Sequence, residues 1–203
     1  MKAKRVYQSL NEFERGRDPK RALGISTRAK IEEWFEQYDP NVQYEIRDDF
    51  SIVVKGNLNC ATKGVRFIPD NLTVEGDLIC SYNKLTRLPE DLKIGNSINC
   101  AYNNLKFLPD NLSIVNGNLY CKDNQLVKLS DNLTLIKGGL NCMNNELVEL
   151  PNNLTIKNDL HCSNNNLSRL PNNLTVEGDL VCYNNRKNLE LREDVNIWGR
   201  FVN

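Results

Sequence analysis

The most reactive side chains in this 203-residue chain belong to seven cysteines and to a single histidine, His161. A thiol can ligate a metal, form a disulfide, attack a substrate as the thiolate, or act as a small apolar core residue. One cysteine lies in the stretch GDLICSYNKLTRLP, residues 76–89, which returns as GNLYCKDNQLVKLS at 117–130 and as NDLHCSNNNLSRLP at 158–171. The recurrence makes spacing the first test of these four roles.

The cysteines are separated by 20, 20, 21, 21, 20 and 20 residues. An aliphatic residue stands two positions before each of them, so apolar and polar residues alternate as in a strand with one buried face. In DLIC, Leu78 and Cys80 then point inward, and Ile79 points outward. The cysteines are Cys60, Cys80, Cys100, Cys121, Cys142, Cys162 and Cys182.

This arrangement favours the core role for the cysteines. A linear buried column is a poor tetrahedral zinc cage. An odd number of thiols with no sign of export argues against a disulfide framework. His161 lies between inward Leu160 and inward Cys162, so it points away from the thiols and cannot serve as their base. We therefore expect no enzyme, metal or cofactor; a disulfide and a metal or redox site are the alternatives.

The full unit reads L-x-C-x-x-N-x-L-x-x-L-P-x-x-L-x-V/I-x-G-x, and at this point the sequence resembles the leucine-rich repeats. Its short period and its Leu-Pro pairs, such as Leu88-Pro89, are most similar to the short bacterial class. The resemblance covers residues 51–191 in about seven units. It implies an α+β fold, a leucine-rich-repeat solenoid with one parallel strand per repeat, because a unit this short must stack on its neighbours.

Two further columns repeat with the cysteines. An asparagine stands three residues after each cysteine except in the first unit, which has Lys63. Because an amide both donates and accepts, these asparagines are predicted to bind exposed backbone along the stack. Gly or Asn precedes each strand and predicts a tight turn with positive φ. These residues are Gly56, Gly76, Asn96, Gly117, Gly138, Asn158 and Gly178. The extra residue of the two longer units is placed just before that turn.

The two ends are predicted to cap the solenoid. Residues 1–50 form a helical arm and cap: a capping box at Ser9–Glu12, a short helix from Asp18 to Gly24, and a helix that begins after Ser26 or Thr27 and ends before Pro40. Two strands, VQYEI and FSIVV, follow. Residues 51–191 form the solenoid, and residues 192–203 form a C-terminal cap.

The leader also resembles that of leucine-rich-repeat proteins encoded in bacteriophage genomes, through DPKRALGIS, KIEEWFEQY and YEIRDDFSIVVKG. The departure is LGIS where those relatives often have LGIG. This resemblance implies a phage protein in the host bacterial cytosol. The absence of a signal peptide and of a long apolar run agrees with a cytoplasmic protein without a membrane partner.

The predicted binding site is the outward, concave face of the strands. The formal net charge is zero, so the chain as a whole has no electrostatic attraction for nucleic acid. The strand face is polar with isolated large anchors of the types enriched in interfaces. The predicted contacts are Ile79, Tyr120, Lys122, Met143, Asp159, His161, Asp179, Val181 and Tyr183.

The predicted function is non-enzymatic binding of a bacterial host protein, with inhibition of a host defence factor as the specific hypothesis. One alternative is a phage assembly or virion-associated protein that binds its own kind. Another is sequestration of a nucleotide signal, or nucleic-acid binding through the basic N-terminal arm, and nucleic acid is disfavoured. A ligase-type effector domain is not expected, because every cysteine is a repeat cysteine. The oligomeric state is left open.

Overall fold

The structure, a computed structural model, describes residues 28–186 and 189–203. The predicted capping box at Ser9–Glu12, the helix from Asp18 to Gly24 and the Ser26 or Thr27 cap lie outside the described residues. One α-helix is described, α1 (Arg28–Tyr38). It is followed by an antiparallel hairpin of β1 (Gln43–Ile46) and β2 (Ile52–Lys55). The predicted N-terminal cap of one helix and two strands is confirmed.

The seven cysteine strands and one strand near the C-terminus form one parallel sheet of eight strands, which confirms the predicted leucine-rich-repeat solenoid. Each strand pairs in register with the next at the cysteine period, so that Leu58 opposes Leu78 and Leu160 opposes Leu180. The strands are β3 (Leu58–Asn59), β5 (Leu78–Ile79), β7 (Ile98–Asn99), β9 (Leu119–Tyr120), β11 (Leu140–Asn141), β13 (Leu160–His161), β15 (Leu180–Val181) and β17 (Phe201–Val202).

Each repeat also carries a second short strand, beyond the one strand per repeat that the sequence predicted. These second strands are β4 (Leu72–Val74), β6 (Lys93–Ile94), β8 (Ile114–Val115), β10 (Leu135–Ile136), β12 (Thr155–Ile156), β14 (Thr175–Val176) and β16 (Asn196–Ile197). They form two sheets, β1-β2-β4-β6 and β8-β10-β12-β14-β16. The segment predicted as a C-terminal cap therefore contributes β16 and β17, one strand to each side of the solenoid.

The second sheet is interrupted between β6 and β8, where the repeat length changes. Val115 and Ile136 keep the six-residue distance to their cysteines that Ile156 has in the shorter repeats. The extra residue therefore lies ahead of the second strand, and its predicted place just before the glycine turn is wrong. At the interruption, side-chain amides replace the ladder: Asn111 Nδ2 donates to the Leu92 carbonyl at 3.1 Å.

The predicted positive φ at the Gly/Asn turn is wrong at every position except Gly56, which has φ of 88°. The glycines are needed for close approach instead. A Cβ on Gly138 would lie 2.8 Å from the carbonyl of Gly117, one turn earlier. The Gly138 amide donates to that same carbonyl at 2.9 Å. Glycine at this position thus lets successive turns hydrogen-bond to each other.

A left-handed residue recurs in every repeat two positions after the cysteine, where the chain leaves the strand. All seven have φ between 53° and 62°. Asparagine and aspartate tolerate this conformation better than other non-glycine residues. The seven are Thr62, Tyr82, Tyr102, Asp123, Asn144, Asn164 and Asn184.

The N-terminal cap closes the first edge of the eight-stranded sheet with polar contacts. The Asp39 carboxylate, just after α1, accepts the Asn59 amide of β3 at 2.8 Å. Lys63 donates to the carbonyl of Tyr38 at the end of the helix. Trp34 and Phe35 are buried, and the Trp34 indole donates to the Phe67 carbonyl at 3.1 Å. The edge of the first strand is therefore covered, as exposed strand edges usually are.

Candidate functional site

The seven thiols are fully buried and free of disulfides. Burial raises the pKa of Cys60, Cys100 and Cys142 from 9.0 to about 12. It also raises the pKa of Cys80 and Cys121 well above that ordinary value. A nucleophilic cysteine needs a lowered pKa and access to substrate. A hydrogen bond from Cys162 lowers the pKa of Cys182, but that thiol is fully buried like the others. The thiols therefore lack access to substrate and act as core side chains.

The asparagines after the cysteines hold the strand exits together, as predicted. Asn145 is typical: its Nδ2 donates to the carbonyls of Cys121 and Cys142, both at 3.1 Å. Its Oδ1 accepts the amide of Leu126, in the preceding repeat, at 2.9 Å. The same pattern recurs at Asn83, Asn103, Asn124, Asn165 and Asn185. This buried amide column is structural, so it leaves the outer face of the sheet for binding.

The middle column of that outer face lies one residue before each cysteine. At Asn59, Asn99 and Asn141 the side-chain oxygen accepts a hydrogen bond from the backbone amide of the residue two positions later in the chain, at 3.2–3.3 Å. Ile79 and Val181 have no side-chain acceptor, and Tyr120 and His161 make no such bond. Four predicted contacts therefore occupy positions at which asparagine would add a hydrogen bond to the backbone: Ile79, Tyr120, His161 and Val181.

Two predicted contacts of the next column, one residue after the cysteine, reach the surface: Tyr183 and Met143. Tyr183 is 39% exposed, close to the 40% of Tyr120. Met143 is half-buried, whereas Ser81 and Ser163 in the same column are buried. The face is therefore uneven: a few large side chains stand above a floor of small ones.

Asp159 and Asp179 are engaged in holding the turns together. Asp159 Oδ1 accepts the amide of Asp179 at 2.8 Å. Asp179 Oδ1 accepts the amide of Arg200 at 2.7 Å, and its Oδ2 accepts the Arg200 guanidinium at 2.6 Å. These hydrogen bonds from Arg200 lower the pKa of Asp179. Both carboxylates thus have structural roles, and their contact with a partner stays a prediction.

Lys122 belongs to a cluster that the sequence interpretation missed. Its Nζ lies 4.8 Å from the ring centroid of Tyr102, within the range of a cation–π contact. Tyr102 stacks on Tyr82 with centroids 4.2 Å apart and an interplanar angle of 11°. Hydrogen bonding to Tyr102 raises the pKa of both Lys122 and Tyr82. Tyr82 is nevertheless 56% exposed.

The signal for this cluster was present in the sequence. Tyr82 and Tyr102 occupy the left-handed position that is asparagine in the last three complete repeats. There the exposed amides form a ladder in which Asn184 donates to Asn164, Asn164 to Asn144, and Asn144 to Asp123. A bulky residue in a left-handed conformation is uncommon. The two tyrosines therefore depart from the scaffold at a local conformational cost.

Elsewhere in residues 28–186 and 189–203, the structure shows no catalytic constellation. Among the described residues, no group of three or more His, Cys, Asp or Glu side chains is placed to hold a metal. A cleft of about 290 Å³ opens where the second sheet is interrupted, lined by apolar, amide and backbone groups with Lys93 as its one charged side chain. It contains no acid–base pair. Within the described part of the chain, no helix has the length and apolar content needed to cross a membrane.

Comparisons with known proteins give structural neighbours alone. No family model matches the sequence, and no curated protein matches it. YopM, a leucine-rich effector protein from Yersinia pestis, superposes with a TM-score of 0.47 at 25% identity over 71% of this chain. The chain spans 50% of that protein. A Shigella effector leucine-rich-repeat domain superposes with a TM-score of 0.46 at 20% identity, over 71% of this chain and 81% of that domain.

Proposed function

We propose that this protein is a non-catalytic binding module. It binds another protein through the outer face of the eight-stranded sheet. One observation carries the proposal. In the middle column, Ile79, Tyr120, His161 and Val181 replace an asparagine that makes a backbone hydrogen bond in the other repeats. Their presence does not serve the scaffold, and Tyr120 is exposed. Exposed aromatic anchors on a polar face are typical of protein interfaces.

The finer proposal concerns origin and target. The leader resemblance supports a phage-encoded protein acting in the host bacterial cytosol, with a host protein as partner and inhibition of a defence factor as its effect. Self-association and virion assembly are the alternative for the same face.

The test uses substitutions toward the scaffold's own residue. Tyr120→Asn introduces the asparagine that its column neighbours Asn99 and Asn141 carry, so it should leave the melting temperature unchanged or raise it. Bacterial lysate is passed over the immobilised wild-type protein and over this variant, and captured proteins are identified by mass spectrometry. A genuine partner should bind Tyr120→Asn more weakly by 1 kcal/mol or more, roughly what a hot-spot aromatic contributes.

A core substitution supplies the matched control. Leu119→Ala, one residue earlier, removes a fully buried side chain and should cost about 2–5 kcal/mol of unfolding free energy. If captured proteins bind Tyr120→Asn, and a further Tyr183→Asn variant, as tightly as wild type, the strand face is not the site. Capture of the chain by itself would favour assembly, and capture of nucleotides or nucleic acid would favour sequestration.

A further inference from the structure

The segments that leave the strands form a strongly basic surface in the first four repeats. We call these segments, residues 61–67, 81–87, 101–107 and 122–128, the strand-exit edge. They contain seven basic residues and one acidic residue, Asp123, although the whole chain has a formal net charge of zero. Backbone hydrogen bonds join successive segments, as from the Lys84 amide to the Val65 carbonyl at 2.9 Å. The basic residues therefore lie on one continuous surface.

Some of these cations already have partners within the molecule. Arg87 pairs with Asp70 at 3.2 Å, and Lys128 pairs with Asp131 at 2.8 Å. Lys63 is held by the Tyr38 carbonyl, and Lys122 by the Tyr102 ring.

Three cations remain without a partner in the described part of the chain: Arg66, Lys84 and Lys106. All three are exposed and come from three consecutive repeats, so they can meet an external anion.

The stacked tyrosines stand on this same edge. Tyr82 and Tyr102 leave their strands in the left-handed conformation, and the equivalent residue of the preceding repeat, Thr62, is too small to cover a ring. Tyr82 thus offers one free ring face among the unpaired cations, whereas the rings of the stack cover each other and Lys122 lies over Tyr102. A strained, exposed aromatic group is a reason to look for function.

We propose that the strand-exit edge binds an acidic protein segment, whose carboxylates pair with Arg66, Lys84 and Lys106 and whose aromatic or apolar side chain covers Tyr82. This inference rests on the proposed function, since it names the chemistry of the protein partner. Opposite charges across an interface supply specificity and fast association. The wild-type chain thus recognises its partner by the edge as well as by the strand face.

Nucleic acid fits this surface less well. Single-stranded nucleic acid stacks successive bases on successive open rings, and this stack leaves one open ring face. The basic track is also short, about 15 Å for four strands at 4.8 Å spacing. In the next repeat it meets Glu146 and Glu149, which would repel a continuing phosphate backbone.

The experiment measures binding of labelled probes to the full chain by fluorescence anisotropy. The main probe is a glutamate-rich peptide with a central tryptophan, and the comparison probes are its glutamine counterpart, its alanine-centred counterpart and an oligodeoxythymidine. The glutamate peptide should bind, the glutamine peptide should not, and binding should vanish near 1 M salt, where the Debye length is about 3 Å.

Three variants locate the site. The triple variant Arg66→Gln, Lys84→Gln and Lys106→Gln should weaken binding of the glutamate peptide by about tenfold or more, because it removes the unpaired cations. Arg169→Gln, which removes an exposed cation of a later repeat, should leave binding of this peptide unchanged. Tyr82→Asn should weaken the tryptophan peptide by about fivefold and leave the alanine-centred peptide unaffected.

The proposal is wrong if the glutamine peptide binds as well as the glutamate peptide, or if the triple variant binds like wild type. Tighter binding of oligodeoxythymidine than of the glutamate peptide would also overturn it in favour of nucleic acid. These outcomes are separable from failure of the proposed function. Lysate capture that depends on Tyr120 would stand even if the acidic peptide failed to bind.

Discussion

Removing one amide from the buried asparagine column should destabilise the protein by an amount that its hydrogen bonds set. In Asn145→Ala, the carbonyls of Cys121 and Cys142 each keep a second donor, from Asn124 at 3.1 Å and from Asn165 at 3.0 Å. The amide of Leu126 keeps none among the described residues.

An orphaned buried amide costs about 1–3 kcal/mol, and each further lost hydrogen bond contributes about 0.5–1.5 kcal/mol. Because the carbonyl bonds are shared, we take the low end for them and expect a loss of about 3 kcal/mol.

Urea unfolding followed by circular dichroism measures this loss as a change in the free energy of unfolding. The control is Glu146→Ala, one residue later, an exposed side chain outside the left-handed position, which should cost under about 1 kcal/mol. Asn145→Asp keeps the acceptor for Leu126 but turns a charge toward carbonyl oxygens, so its loss should shrink as the pH falls toward about 4. Equal losses for Asn145→Ala and Glu146→Ala would refute the account of the column.

Three further predictions concern stability. Gly138→Ala places a Cβ 2.8 Å from backbone and should cost about 1–3 kcal/mol. Gly139→Ala meets its nearest atom at 3.2 Å and should cost less than about 1 kcal/mol; equal thermal shifts would contradict the close-approach explanation. Thr62→Asn relieves a β-branched residue at φ of 62° and should stabilise by about 1 kcal/mol, measured by urea unfolding. Because the pKa of Cys142 is raised to about 12, the unfolded chain loses the thiol proton first as pH rises above 9. The free energy of unfolding should then fall between pH 9 and 12 by about 1.4 kcal/mol per pH unit for each such thiol. Cys142→Ala should lower that slope in alkaline urea titrations.

The strand register could be predicted because a solenoid turns a sequence period into a spatial one. Once Leu58, Leu78 and Ile98 are recognised as equivalent, each must lie beside the next, and the structure pairs them so. The second strand of each repeat was not predicted. Pairs such as Thr155–Ile156 are two residues long and owe their order to hydrogen bonds from adjacent turns. The sequence of a single repeat therefore gives little indication of these second strands.

The glycine turns show a different limit. A glycine needed for positive φ and a glycine needed for close contact look the same in sequence. Gly56 is of the first kind, and Gly138 is of the second because the clashing atoms belong to Gly117, one turn away. The left-handed conformation falls instead on Tyr82 and its equivalents, where side-chain type alone argued against it. Local preference was overridden there by the geometry of the strand exit.

In a repeat protein, each residue can be compared with the residues at the equivalent position of the other repeats. In the middle column the scaffold residue is asparagine, and Tyr120 gives up its backbone hydrogen bond. In the left-handed column it is asparagine or aspartate, and Tyr82 gives up the amide ladder. Because both tyrosines are exposed, core packing does not account for them. Substitution toward the repeat consensus should therefore leave stability equal or higher while weakening partner binding, whereas a purely structural role would lower both.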